Sequence, residues 1–343
     1  MRMLTKNKIQ IVGAIPDPIG GVSTFIYRLS YMLSKTDINH SIIDLYPSDK
    51  KLKIPSRMYV APRKSLFSRV SFLKRKISKS PDNIVFYNFS SIKSLFIFVF
   101  IKKHEEHWVL MLHNGDLHFS KKMTILWKYI YRLIVKKIDK VLYISERQRD
   151  FYLKELKLDS DTLESMKSYI PASVVCEKEE TELCKGLKNI ILANGYIKSL
   201  YNFEFLIKLA RKYQDYNIVI VTYGEAEPGY HDYIMNLCDG LDNIHFLEQV
   251  SPVAFVSLLS RSCLYARPNH IDSFGIAVAD AISLGVPVVA SNVCERTRGA
   301  IIFDPNDFDD FLVAFEKALC RESTKAVTSI ANVQKEFINK IGL

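Results

Sequence analysis

Two stretches of the sequence combine residue types able to handle a charged, polar ligand. The first is Pro16-Asp17-Pro18-Ile19-Gly20-Gly21-Val22-Ser23, which runs from an apolar segment straight into an amphipathic one. Adjacent glycines let a backbone come close to a ligand, and a helix starting there offers unpaired N–H groups and a positive dipole end to a phosphate. The pattern is neither G-x-G-x-x-G nor G-x-x-x-x-G-K-[ST], so a plain strand-to-helix turn accounts for it equally well. The second stretch runs from Arg267-Pro268 through Asp272-Ser273-Phe274-Gly275 and Asp280 to Gly285-Val286-Pro287 and Ser291. A helical path separates Asp272 from Asp280 by roughly 12 Å. That exceeds the roughly 5 to 9.5 Å of a glycosidase carboxyl pair. It suits two polar anchors on an extended ligand, with a helix start between them facing an anion. The alternative makes Asp272 a helix cap and Asp280 a surface residue.

Other chemistry-bearing residues fit weaker patterns. Asp159-Ser160-Asp161 and Asp307-Phe308-Asp309 have the D-x-D form of metal-dependent transferases, but one lies in a polar linker and the other opens a helix, where capping explains it. His104 and His107 flank Glu105-Glu106 without a third ligand and read as a solvated helix end. The six cysteines form no C-x-x-C pair, which argues against a disulfide scaffold or thiolate zinc site and fits a reducing cytoplasm.

The elements that must position these residues alternate. Short β-branched runs predict strands at 8–14, 41–45, 83–88, 108–113 and 140–144, with helices near 24–34, 65–78, 91–103, 122–138 and 146–157. A polar stretch over 159–186 has a linker's composition. Strands resume at 189–194, 217–222, 244–247, 263–266 and 287–290, with helices near 202–213, 229–241, 252–259, 275–284 and 307–319. Strands apolar on both faces and separated by helices indicate parallel sheets covered on both sides. Two such doubly wound sheets in series place a cleft between them, lined by strand carboxyl ends.

Composition narrows the classes further. The chain has 343 residues, 48% hydrophobic and 24% charged, which excludes a disordered or collagen-like protein. The longest apolar run, residues 95–101, is far short of the roughly 20 residues of a spanning helix, and the basic start lacks a secretion signal's apolar core. A soluble or peripheral protein is the expectation. Residues 1–180 hold 32 Lys and Arg against 18 Asp and Glu, while the remainder is slightly acidic. Residues 51–80 carry ten Lys and Arg and no acid, and Leu66, Phe67, Val70, Leu73 and Ile77 recur there at helical spacing. This is the pattern of a basic amphipathic helix on an anionic surface, or of a solvated charged face. No RNA-recognition or zinc-knuckle signature accompanies it, so nucleic acid is not an expected partner.

The 267–291 stretch resembles the signature of retaining glycosyltransferases of the GT-B fold, family four (group one), in which a Glu, seven residues and a second Glu precede a G-x-P-V-V-A-S run. The resemblance extends over nearly the whole chain. Gly20-Gly21-Val22-Ser23 matches that family's glycine loop, and Leu112-His113-Asn114-Gly115-Asp116 resembles its H-x-G segment. Asn194-Gly195-Tyr196-Ile197-Lys198 and Gly224 resemble its second-domain strand-end loops. Arg267-Pro268 and Arg296-Thr297-Arg298-Gly299 with Ile302-Phe303 look most like the branch that builds bacterial surface polysaccharides.

The resemblance implies an α/β, GT-B architecture: an acceptor-side Rossmann-like domain over 1–175, a nucleotide-sugar domain over 187–320, and a helical segment over 321–343 that crosses back to the first. It implies sugar transfer with retention from a UDP- or GDP-sugar, without a cofactor or metal. The implied acceptor is an oligosaccharide on polyprenyl pyrophosphate, used in capsule, O-antigen or exopolysaccharide synthesis at the inner membrane face. By the same resemblance, Asp272 with the Ser273, Phe274 and Gly275 amides meets the donor sugar and pyrophosphate, Asp280 the ribose, and Lys198 the pyrophosphate. Gly20 and Gly21 approach from the other domain, His113 and Asn114 lie beside the anomeric centre, and Gly195 and Gly224 line the donor loops. Both family glutamates are aspartates here, and Lys198 alone stands where the family places two basic residues, with Arg267 a candidate for the second. The alternatives are a nucleotide-sugar epimerase of the same fold and a non-catalytic nucleotide-binding module of an assembly complex.

Overall fold

The computed structural model describes residues 8–62, 65–113, 125–175, 184–320 and 329–342. The chain divides into two compact units, Met1–Ile170 with Ser329–Leu343, and Pro171–Thr328.

The first unit is built on a seven-stranded parallel sheet of β1 (Lys8–Gly13), β2 (Asn39–Asp44), β3 (Arg57–Val60), β4 (Asn83–Phe89), β5 (His107–Leu112), β6 (Lys140–Tyr143) and β7 (Leu163–Ser165), in the order β3-β2-β1-β4-β5-β6-β7. Ile11 of β1 lies opposite Ile42 of β2 and Phe86 of β4. All seven residues of β4 are buried, as a strand covered on both faces requires. Helices α1 (Gly21–Ser34), α2 (Leu66–Lys76), α3 (Ile125–Val135) and α4 (Glu146–Lys154) belong to this unit. Ser65 and Ser145 start α2 and α4 by accepting from the amides three residues on. An aromatic cluster fills one part of the core, with Tyr87 edge-on to Phe98 and Trp108 at ring separations of 4.6 and 5.2 Å.

The second unit carries a six-stranded parallel sheet of β8 (Ile190–Gly195), β9 (Asn217–Thr222), β10 (Ile244–Glu248), β11 (Leu264–Arg267), β12 (Val288–Ser291) and β13 (Ile301–Phe303), in the order β10-β9-β8-β11-β12-β13. Its helices are α5 (Phe203–Lys212), α6 (Tyr230–Leu237), α7 (Pro252–Ser260), α8 (Ile276–Leu284) and α9 (Phe308–Leu319). Ser251 caps α7 ahead of Pro252, and Gly285 ends α8 in the left-handed region at φ 81°. Asp307 accepts from the Asp309 and Asp310 amides, so its D-x-D pattern is a helix cap. A last helix, α10 (Ile330–Ile341), returns to the first unit, where Phe337 packs against Phe86 of β4 at 5.6 Å.

Five expectations need correction. Strands β3, β7 and β13 were not foreseen, and all three are sheet edges of three or four residues. An edge strand pairs on one side only and carries little of the buried pattern that betrays a central strand. The polar stretch over 159–186 is therefore not wholly linker, since Leu163 pairs with Val141 of β6. Residues 91–103 form a 3₁₀ helix over Ile92–Val99, in a run crowded with aromatic and β-branched side chains. His104 and His107 mark no solvated helix end: His107 opens β5, and Glu106 is buried, accepting from the Trp108 indole at 3.1 Å. On α2, Val70 and Leu73, with Ile77 just past its end, are packed into the core, which leaves Leu66 and Phe67 as the exposed apolar residues of the proposed amphipathic face.

Candidate functional site

In the second unit the strand order reverses between β8 and β11, which lie side by side while their connections lead in opposite directions. Doubly wound sheets take ligands outside the carboxyl ends of strands at such a point. Gly195 is the last residue of β8 and Arg267 the last of β11, so the two loops that follow them leave the sheet there.

Asp272 sits at the centre of an ion cluster in the second loop. Its carboxylate accepts from Arg267 Nε at 2.9 Å and Nη2 at 3.3 Å, from Arg296 Nη1 at 2.6 Å, and from the Ser273 amide at 3.0 Å. The Asp272 side chain is 9% exposed and that of Arg296 only 2%. Burial alone would raise the carboxyl pKa, but the two guanidinium groups outweigh it and hold Asp272 well below the usual carboxylate range. A carboxylate has about four acceptor sites, and here four donors fill them. A sugar hydroxyl would have to displace one of these donors.

The cluster joins several strand ends. Arg267 Nη1 donates to the Asn194 carbonyl on β8 at 2.9 Å, and Arg296 Nε to the Ser291 carbonyl at the end of β12, also at 2.9 Å. Gly275 takes φ 74° at the head of α8, and a Cβ there would lie 2.9 Å from Arg296 Nη1 and 3.3 Å from Asp272 Oδ2. Two cations against one anion leave the loop electropositive beside the first amides of α8, and Ser273 and Phe274 are half-buried there. Asp280, in the middle of α8, is 1% exposed, which overturns the surface alternative.

Around the first loop the glycines make room for the protein's own tyrosines. A Cβ on Gly195 would fall 2.1 Å from the Tyr201 ring, and one on Gly224, at φ 71°, 2.1 Å from the Tyr196 ring. Lys198 is half-buried, its ammonium 5.0 Å from the centre of the Tyr196 ring, and Arg267 lies 5.5 Å from that of Tyr201. Tyr265 donates to Asn194 Oδ1 at 2.5 Å, and Asn194 Nδ2 donates to Tyr223 at 2.9 Å. Lys198 and the ion cluster thus border one aromatic wall.

In the first unit the order reverses between β1 and β4. Gly20 precedes α1 with an extended backbone, and a Cβ on it would meet nothing within 4 Å; Gly21 is the first residue of the helix. The chain's own packing therefore does not demand glycine at position 20. His113 follows β5 and is 7% exposed. Its Nε2 donates to Asn88 Oδ1 at 3.0 Å, and its Nδ1 accepts from Ser168 Oγ at 2.6 Å. The Asn88 amide nitrogen is spent on the Phe86 carbonyl, which fixes this tautomer. Burial lowers the imidazole pKa to about 3, so His113 is neutral. Asn114 lies outside the described residues.

Residue patterns did not single out Arg296, Ser168 or Asn88. Arg296 carried a signal in the Arg296-Thr297-Arg298-Gly299 run beyond a buried strand. Ser168 is 55 residues from its histidine, and no spacing could reveal it.

Two Rossmann-like parallel-sheet units of this kind match the GT-B fold of solved glycosyltransferase structures. The S. aureus protein TarM superposes with a TM-score of 0.70 at 10% identity, over 99% of both chains. Anabaena Alr3699/HepE, solved in complex with UDP and glucose, gives 0.67 at 12% identity over 97% of this chain and 99% of its own. Residues 177–327 match the family model described as glycosyl transferases group 1. An uncharacterized glycosyltransferase of Haemophilus influenzae is 21% identical over 305 residues, 84% of this chain and 82% of its own. The second unit thus carries the match to the group 1 glycosyl transferase model, in a chain of GT-B fold.

Proposed function

We propose that the protein transfers a sugar, with retention, from a UDP- or GDP-sugar onto an oligosaccharide carried on polyprenyl pyrophosphate, in the synthesis of a bacterial surface polysaccharide. The observation that carries the reading is the electropositive loop at the strand-order reversal, where Asp272 is held between Arg267 and Arg296 at the head of α8. As the bond from the anomeric carbon to the diphosphate breaks, negative charge builds on the departing nucleoside diphosphate. Donors already fixed in place stabilise that charge without reorganising. Lys198, the surplus cation of the cluster and the amides of Phe274 and Gly275 supply such donors, joined by the Ser273 amide where it exchanges its bond to Asp272, in place of a metal ion.

Asp272 acts here chiefly as the anchor that shapes the loop, Asp280 holds the ribose, and Gly20 and Gly21 admit the diphosphate close to backbone. His113 serves as a neutral hydrogen-bonding group for sugar or acceptor, exchanging one of its present partners. Binding of UDP and glucose by a structure of the same fold supports the donor class. A lipid-linked acceptor is supported by the excess of 32 basic over 18 acidic residues in 1–180, which favours an anionic leaflet.

The test is incubation of the protein with UDP-, GDP- and dTDP-sugars, followed by product analysis. Slow release of one nucleoside diphosphate with the sugar in the donor's own anomeric configuration supports the reading. Interconversion of sugars marks an epimerase, and binding without turnover of any donor marks a binding module; either result contradicts it.

A further inference from the structure

We propose that the first unit inserts a defined aromatic face into an anionic lipid surface, through the start of α2, the end of the 3₁₀ helix Ile92–Val99, and the outer side of α3. The inference rests on the membrane placement in the proposed function and names the surface that performs it. Helix α3, ILWKYIYRLIV, is apolar on nearly every side. Tyr131, Ile134 and Val135 face the core, while Leu126, Tyr129 and Leu133, spaced to share the opposite side, are 65%, 57% and 49% exposed. A surface helix ordinarily turns charged residues outward. On the side of α3 that carries Tyr131, whose ring lies 6.0 Å from its own, Trp127 is still 43% exposed, and Phe100 is 36% and Phe67 78% exposed. Rings connect them across the three elements: Phe67 to Phe100 at 6.4 Å, Phe100 to Phe96 at 5.5 Å, and Phe96 to Trp127 at 6.2 Å. Exposed apolar side chains gathered on neighbouring elements in this way mark an interaction surface.

The charges around the patch choose the occupant. Residues 50–81, 83–104 and 117–138, which carry all three elements, contain no Asp or Glu. Lys74 and Arg75 at the end of α2 and Lys136 just past α3 are exposed. A second copy docking through the same patch would set these cations against one another, which is repulsive. An anionic leaflet accepts both parts: aromatic and aliphatic side chains enter the interface while Lys and Arg stay at the headgroups.

The chain has two tryptophans, and Trp108 is fully buried, so Trp127 reports on the patch. Full-length protein is mixed with vesicles of phosphatidylcholine and phosphatidylglycerol in equal parts, and with phosphatidylcholine alone. The expected result is co-sedimentation with the anionic vesicles, a blue shift of Trp127 emission, and quenching by lipids brominated in their acyl chains. Trp127→Phe removes the optical signals. Leu126→Ser with Leu133→Ser lowers partitioning about tenfold or more, and each of Lys74→Ala, Arg75→Ala and Lys136→Ala lowers it about fivefold.

Absence of binding overturns the proposal, as does binding that leaves Trp127 unshifted and unquenched, since that is headgroup adsorption alone. A blue shift that arises without lipid, on self-association or on addition of an acidic protein, assigns the face to that partner and equally overturns it. Donor hydrolysis measured on the same samples separates the two claims. Insertion without hydrolysis contradicts the transfer reading only, and hydrolysis without insertion contradicts this proposal only.

Discussion

Asp272 has two oppositely acting duties in its loop: it neutralises two buried guanidinium groups, and they keep it ionised. Removing its charge strands those cations, so Asp272→Asn should lower stability by about 3 to 5 kcal/mol in denaturant titration. Lys198 has no such structural load. Lys198→Ala should leave the melting temperature within a degree or two while raising the donor KM and lowering kcat, about a hundredfold in kcat/KM. His113 makes a pH prediction with a definite sign. Its pKa is lowered by burial from 6.5 to about 3, so below pH 6.5 the unfolded chain takes up a proton that the folded chain refuses. Between pH 6 and pH 4 this residue should therefore cost about 1.4 kcal/mol of stability per pH unit of acidification. The His113→Gln variant should lose that increment, and an imidazole signal that titrates near its ordinary value would contradict the assignment. At this scale the sequence showed the charged types on the donor loops but not their pairing. Arg267 was as plausibly a packing residue as a cation until Asp272, Asn194 and Tyr201 were seen around it.

Glycines separate what the elements need from what a ligand needs. Gly195→Ala and Gly224→Ala each drive a methyl into a tyrosine ring, and the second adds strain at φ 71°, so each should cost about 1 to 3 kcal/mol in stability. Gly20 has open space and an extended backbone at a helix start. Gly20→Ser should leave stability unchanged or slightly raised, because serine is a good cap, and should still lower kcat/KM at least about tenfold by obstructing the ligand. Equal activity in that variant would remove the glycine loop from the site. Central strands such as β1, β4 and β9 were legible because burial on both faces writes an uninterrupted apolar run into the chain. The edges β3, β7 and β13 were not, since Arg57–Val60 and Leu163–Ser165 carry polar residues that only one neighbour constrains. On α2 the periodicity was real, but its apolar face is mostly the core's, with only Leu66 and Phe67 left to solvent.

Each of the two units has its own sheet and core, and the family match, 177–327, falls wholly in the second. The chain's end is part of the first: Phe337 is fully buried against Phe86. Phe337→Ala should destabilise that unit by about 3 to 5 kcal/mol, read as lost amide protection in β1 and β4 by hydrogen exchange. The division of charge follows the division of structure, with the basic residues concentrated in 1–180 and the donor loops in the slightly acidic remainder. The measurement that bears most directly on the central claim is a crystal structure grown with UDP and with GDP. The diphosphate should lie against residues 272–275 at the head of α8, its oxygens within hydrogen-bond reach of the Ser273 to Gly275 amides and of the Lys198 ammonium. A nucleotide bound in this protein away from that loop would contradict the account.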